Sequence, residues 1–336
     1  MNKVTCAGIL VADLIAADLP RVSPPGDITF APRGIGVHIG GHAANVSADL
    51  MGLGMRAGEV NCLGAVGKDL FGAFFEQALA GRRVQTKLQR VSEALTAVDL
   101  ILVVEGEDRR YHCHMGANSL FDPDFVLRSV RRERPLIFYA GGAGLMARFD
   151  LRLAHVLKEV KELGCVTFVD PVRPHNEDWD FLRKALKWTD IFHCNELEAQ
   201  SLTGQEGLRK AIRVLLDFGP RVALVSRGKD GVTAAARNRA LSLDAFKVKT
   251  LDPTGAGDAF CAGFICRAVK KLGRRGAPQL DWEEAELAAM LLEAEAAGAA
   301  CVTGIGTTSA VTRKNVRRLI AAQGARVRRS LRVEPL

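Results

Sequence analysis

The sequence predicts an α/β fold, a mostly parallel sheet with helices on both faces. Three observations carry this. From about residue 135, short apolar runs alternate with helical stretches in repeated strand–helix units, the pattern of parallel sheets. The chain has 336 residues, 48% hydrophobic and 25% charged, the length and composition of one large globular domain or of one with an appendage. No internal repeat or low-complexity segment interrupts it.

Residues 4–11 read as a buried strand, 20–32 as a loop rich in Pro, Gly and Asp, and 34–41 as a glycine-rich apolar stretch. A helix is expected over 43–53, a strand over 60–66 and a helix over 71–80. Residues 96–104 and 111–115 alternate like a hairpin around a turn at 105–110. Then follow strands at 136–140, 165–169, 191–194 and 222–226, with helices at 151–163, 178–187 and 208–218. Segments 232–236 and 240–245 suit a hairpin near one sheet edge, and 283–300 is an Ala-rich helix. Between them, Phe260, Phe264, Ala268 and Leu272 recur about once per turn, Arg267, Lys270 and Lys271 suit the last turns, and Gly273 suits the stop.

The net charge is +8, with basic runs at 128–134, 267–275 and 326–332. The first two read as exposed helix faces and the third as close to a terminal tail. No aromatic-studded basic strand accompanies them, so the charge points to phosphorylated small molecules and not to nucleic acid. The 8 Cys are scattered without a Cys-x-x-Cys pair, which suggests a reducing compartment and no disulfide framework. Asp13 interrupts the N-terminal apolar run with no cleavage-like site after it, and no apolar stretch approaches membrane-spanning length. A cytoplasmic protein without membrane contact is expected.

The most informative stretch is Asp252-Pro253-Thr254-Gly255-Ala256-Gly257-Asp258. Asp252 and Pro253 end an extended run, and Thr254 can cap a helix. Gly255, Ala256 and Gly257 expose backbone N–H groups at a helix N-terminus, where anions bind. A carboxylate there, Asp258, suits a group that takes a proton. Base and charge cradle side by side suggest phosphoryl transfer to a hydroxyl.

Other candidates carry a bland reading beside the functional one. Gly40 and Gly41 open a helix with Asn45 in its first turns, suited to a close-approaching hydroxyl or merely to a tight turn. Asp13 follows the first strand, where ligands bind in open α/β sheets, or is a solvated loop acid. Asn195 and Glu198, three apart, could hold waters around magnesium or simply start a helix. Ser226, Gly228 and Gly231 form a turn for a nucleotide or for a hairpin entry. Gly142-Ala143-Gly144-Leu145-Met146-Ala147 is a weak match to a dinucleotide fingerprint, His112 and His114 lack a third metal ligand, and no Walker A loop exists.

Together these pieces resemble the ribokinase, or PfkB, family of carbohydrate kinases, over nearly the whole chain and in order. Gly40-Gly41-x-x-x-Asn45 with Leu50-x-x-Leu53-Gly54 resembles the N-terminal signature, and Asp252 to Phe260 the C-terminal one, almost letter for letter. The resemblance implies a ribokinase-like three-layer α/β/α sandwich, one kinase domain over 1–336, with a small β-sheet lid inserted at about 12–38 and 96–117. It implies transfer of the γ-phosphoryl of ATP to a primary hydroxyl of a sugar. Asp258 would be the general base, and Gly255, Ala256 and Gly257 the anion hole. Asp13, Gly40, Gly41 and Asn45 would hold the sugar, and Asn195 and Glu198 serve Mg2+ and phosphate, Glu198 through water. Ser226, Gly228, Gly231 and Thr254 would lie on the nucleotide side, with 297–306 as the adenine wall. A monovalent cation, K+, would have Asp252 and Thr254 as its nearest matches. A homodimer through the lid is also implied. Gly116-Ala117-Asn118 resembles ribokinase-like members, and the Arg-x-x-Ser-Ala-type element of fructokinases is absent. Arg109, Arg110, His112 and His114 suit an acidic or phosphorylated acceptor, or face solvent. A nucleoside kinase of the adenosine or inosine type, and a non-catalytic sugar- or nucleotide-binding regulator, are the alternatives.

Overall fold

The computed structural model describes residues 3–107, 109–272 and 280–336. Its strands are β1 (Val4–Gly8), β2 (Val11–Leu19), β3 (Ile35–Gly40), β4 (Val60–Gly67), β5 (Gln85–Val91), β6 (Val98–Val104), β7 (Arg110–His114), β8 (Ile137–Ala143), β9 (Val166–Pro171), β10 (Ile191–Asn195), β11 (Val222–Ser226), β12 (Val232–Ala236), β13 (Arg239–Leu243) and β14 (Arg332–Pro335). Its helices are α1 (His42–Gly52), α2 (Leu70–Gly81), α3 (Pro123–Glu133), α4 (Ala147–Asp150), α5 (Leu153–Glu162), α6 (Asp180–Leu186), α7 (Glu196–Thr203), α8 (Leu208–Asp217), α9 (Ala256–Leu272), α10 (Glu284–Cys301) and α11 (Arg313–Arg329).

Ten strands form one sheet in the order β14-β13-β12-β11-β10-β9-β8-β1-β4-β5. From β11 to β5 every neighbour is parallel, and β12 to β14 extend the sheet antiparallel. The parallel strands are covered on both faces, so β1 and β4 are buried at every position, apolar and polar residues alike. One apolar core packs α1, α9 and α10 on one face, and a second packs α3, α5, α6 and α8 on the other. That is the α/β/α sandwich. A separate four-stranded sheet, in the order β3-β2-β6-β7, has its own small core, including Ile15 and Ile101.

Local chemistry sets the helix starts. The Asp69 side chain accepts from the Gly72 N–H at 2.9 Å to cap α2, and Asp122 caps α3 with Pro123 in its first turn. Several expectations need correction. The first strand ends at Gly8, not residue 11, and the chain crosses directly into β2 of the small sheet. Asp13 is therefore a buried strand residue and not a loop acid. The helix expected over 151–163 is α5, and a short helix not expected, α4, precedes it. The basic run at 326–332 is no tail: it closes α11 and begins β14, and Arg326 donates to the Ala245 carbonyl at 2.7 Å. β5 and β14 have no counterpart among the expected elements. The Gly273 helix stop lies outside the described residues.

Candidate active site

Parallel strands end together, so their carboxyl ends form one rim, the usual place for ligands in such sheets. Asp170 is the residue before the last of β9, Asn195 ends β10 and Ser226 ends β11, with Asn195 and Ser226 in register. The N-termini of α1 and α9 meet over this rim. Gly41 makes the turn into α1 with φ 84°, and a Cβ there would lie 2.5 Å from the Ile9 carbonyl oxygen. Gly255 makes the turn into α9 with φ 79°, packed against Thr307.

Asp258 lies in the first turn of α9, 7% exposed. Its Oδ2 accepts from Asn45 Nδ2 at 2.8 Å. Asn45 Oδ1 in turn lies 2.7 Å from the Thr307 hydroxyl, which also contacts the Ile39 carbonyl oxygen. Asp258 Oδ1 is buried without a hydrogen-bond partner. Burial raises the Asp258 pKa above the ordinary carboxylate value; His42 opposes, Asp170 adds to the rise, and the Asn45 hydrogen bond opposes. Behind it, Asp170 is held below its usual value against the pull of burial. His193 Nδ1 donates to its Oδ1 at 2.8 Å, and the Tyr139 hydroxyl donates to its Oδ2 at 2.7 Å.

Asp13 faces the site from β2. A Cβ on Gly40 would lie 2.2 Å from the Asp13 carboxylate, so only glycine leaves room for this acid. Burial, then Asp99, Asp258 and Asp252, push Asp13 up to about 8. It is largely protonated at neutral pH, and so donates as well as accepts hydrogen bonds.

On the other side of the α9 N-terminus is a cavity of about 840 Å³. The Ser226–Asp230 turn, residues 244–248 and α10 enclose it, and its inner end reaches Ala256 and Gly257. Ser226 and Gly228 line it; Gly231 does not, and instead packs its backbone on Leu243. Glu295 lies in this cavity, 8% exposed and pushed up to about 8 by burial. Asn195 and Glu198 sit apart from the cavity wall and form a capping box for α7, each side chain accepting the other's backbone N–H at 2.9 Å. Burial raises Glu198, and Asp170 adds to the rise.

Asp252 is buried and heavily engaged. It accepts from Thr254 N–H at 2.9 Å, the Thr254 hydroxyl at 2.7 Å, Gly306 N–H at 3.2 Å and Arg109 Nη1 at 2.8 Å. Arg109 also contacts Thr254 Oγ1 and lies over the Tyr111 ring. A guanidinium therefore holds the two side chains matched to a monovalent cation, and this donor set does not fit K+. Arg110, His112 and His114 are exposed.

The sequence pattern of the pfkB family carbohydrate kinases matches residues 1–314. The chain belongs to the pfkB family. It is a carbohydrate or nucleoside kinase, a phosphotransferase with an alcohol group as acceptor. Among its relatives is a fructokinase of Klebsiella pneumoniae, 28% identical over 82% of this chain and 89% of that protein. A ribokinase of Giardia lamblia superposes with TM-score 0.82 at 22% identity, covering 95% of this chain and 99% of that one. An Arabidopsis thaliana ribokinase solved with ribose and ATP superposes with TM-score 0.78 at 23% identity, covering 95% and 99%.

Placed in this family, the chain shows residues that motif reading passed over. Asp170 lies in the last two residues of a parallel strand, the same signal that singles out Asp13. His42 lay inside the Gly40–Asn45 motif without a role. Thr307 comes from a segment with no motif, and no local pattern marks Glu295; Arg109, expected to face an acceptor or solvent, instead pairs with Asp252. Among the described residues, no helix is long and apolar enough to cross a membrane.

Proposed function

We propose that this chain transfers the γ-phosphoryl of ATP to a primary hydroxyl of a sugar held between Asp13 and Asp258. The carrying observation is the state of Asp258: Oδ2 is fixed by Asn45 while Oδ1 is buried, without a hydrogen bond among the described residues and beside a helix N-terminus. A base with one oriented and one uncommitted oxygen can accept the acceptor's proton without first breaking a bond. The hydroxyl oxygen then attacks the γ-phosphorus, and the bond to the bridging oxygen breaks as ADP leaves. The N–H groups of Gly255, Ala256 and Gly257 meet the charge on the transferred group.

The cavity from Ser226 to α10 suits the nucleotide, because it ends at Ala256 and Gly257. Asp13, Gly41 and Asn45 suit the sugar. Asp13, with its proton, reads an acceptor hydroxyl oxygen as readily as a hydroxyl hydrogen. Glu198 Oε1 makes no hydrogen bond among the described residues, so Asn195 and Glu198 suit the water shell of Mg2+. When bound, Mg2+ neutralises phosphate charge. The small sheet, over 11–19, 35–40, 98–104 and 110–114, serves as the lid. Its outer face carries exposed Ile35, Val37 and Leu100, suited to a second copy of the chain.

ADP release measured across ribose, fructose, adenosine, inosine and sugar phosphates tests this reading. Turnover with a sugar supports it. Turnover confined to nucleosides selects the nucleoside kinase. No turnover with any acceptor, together with ligand-induced thermal shifts, selects a binding protein.

A further inference from the structure

His42, the first residue of α1, has a place in the site that the proposed reaction leaves unused. Its Nε2 lies 4.0 Å from Asp258 Oδ1, the oxygen of that carboxylate with no hydrogen bond among the described residues. The ring is 20% exposed and Asp258 8%, so both belong to the reacting side of the rim. Space is kept for it: a Cβ on Gly141, in β8, would stand 2.6 Å from the His42 Cβ. No cation-bearing Lys or Arg forms an ion pair with Asp258 among the described residues.

The groups facing His42 are mainly acids from three elements: Asp258 on α9, Asp170 on β9 and Glu198 on α7. Tyr139 on β8 and His193 on β10 are both tied to Asp170. Cys6 on β1 and Cys62 on β4 are buried thiols whose pKa burial raises, and His38 on β3 packs against Gly36 and Gly306.

From this geometry we propose that His42 is the charge-setting partner of the base, a positioning residue whose imidazolium keeps Asp258 ionised while the acceptor hydroxyl is bound. The inference rests on the phosphoryl-transfer reading and deepens it. Two forces work against an ionised Asp258: its burial and the neighbouring Asp170 charge. His42 is the largest force in the opposite direction. The coupling is mutual. Burial alone would lower the His42 pKa, but Asp258, then Asp170 and Glu198, hold it above the ordinary imidazole value. In the step itself the acceptor proton passes to Asp258 Oδ1, the hydroxyl oxygen bonds to the γ-phosphorus, and ADP leaves with the bridging electron pair. His42 takes no proton in that step; its charge stays beside the carboxylate until the proton arrives.

Two measurements test this. The first is the pH profile of kcat/KM for the best acceptor. In His42→Gln the acid limb should move up by about one pH unit, with about tenfold lost activity below the wild-type limb and about wild-type activity well above it. His42→Lys, which keeps a cation, should leave the acid limb in place. An unmoved limb in His42→Gln, or a limb equally displaced in both variants, overturns the proposal. The second needs no substrate: NMR titration of labelled histidine in wild type and Asp258→Asn. The His42 pKa should fall by at least about half a unit in the variant; an unchanged value overturns the proposal. A protein silent with every acceptor but showing the NMR shift would retain the pairing and contradict only the kinase reading.

Discussion

At the scale of single residues, the site is a balance between burial and charge. Asp258, Asp170 and Asp13 are each at most 7% exposed, yet only Asp170 is held below its usual pKa, because His193 and Tyr139 supply hydrogen bonds. Among the described residues Asp13 has no such donor, and burial, with Asp99 next, pushes it up to about 8. Linkage turns this into a prediction. Between the unfolded value of 3.8 and about 8, the folded chain keeps a proton that the unfolded chain releases. The stability tied to Asp13 is thus complete below the unfolded value and lost as pH rises through about 8. Asp13→Asn, which cannot ionise, should match wild type at about pH 4 and exceed its Tm by at least about 3 °C at about pH 9. Thermal unfolding by circular dichroism checks this; a lower Tm for the variant at the higher pH contradicts it. The same substitution should weaken acceptor binding. Its removal of a strained acid would show the stability given up for function.

At the scale of elements, the small sheet presents two unlike faces. One face turns Asp13, His38 and Asp99 toward the rim, in register across β2, β3 and β6. The other aligns Leu14 with Val37 and Leu100, and Val37 and Leu100 are 45% and 39% exposed. A flat apolar sheet face open to water favours pairing with another copy. Wild type should run at twice the 36.3 kDa chain mass in light scattering, and Val37→Glu at once that mass. A monomeric wild type contradicts the expectation. This scale also shows why some elements were legible in the sequence and others were not. β1, β4, β10 and β11 are short and largely buried, so their apolar runs stand out. β5 is an edge strand with Gln85, Lys87, Gln89 and Arg90 exposed or half-buried, and its composition resembles a loop. β14 is four residues with only Val333 half-buried, and register with β13, not composition, defines it. Asp13 misled for a related reason. A charge after an apolar run reads as the end of a strand, and only the three-dimensional crossing at Gly8 shows that a second strand has begun.

At the scale of the molecule, the two regions proposed for ligands meet at one point. The nucleotide-sized cavity reaches Ala256 and Gly257 from one side, and Asp13, Asn45 and Asp258 stand on the other. The glycine-rich turn was readable because chemistry there needs adjacent residues. The contacts that complete it were not, because Asp258 meets Asn45 across 213 residues and Arg109 meets Asp252 across 143. The latter contact ties the small sheet's hairpin to the loop before the Gly255–Gly257 turn, with no sequence pattern to announce it. The most direct test of the whole account is turnover of Asp258→Asn with the best acceptor, measured as ADP release beside ATP affinity. The account predicts a folded variant that binds ATP within about threefold of wild type and loses at least about 10²-fold in kcat. Turnover within about tenfold of wild type would contradict it, because a hydroxyl would then be phosphorylated without the base on which the site is built.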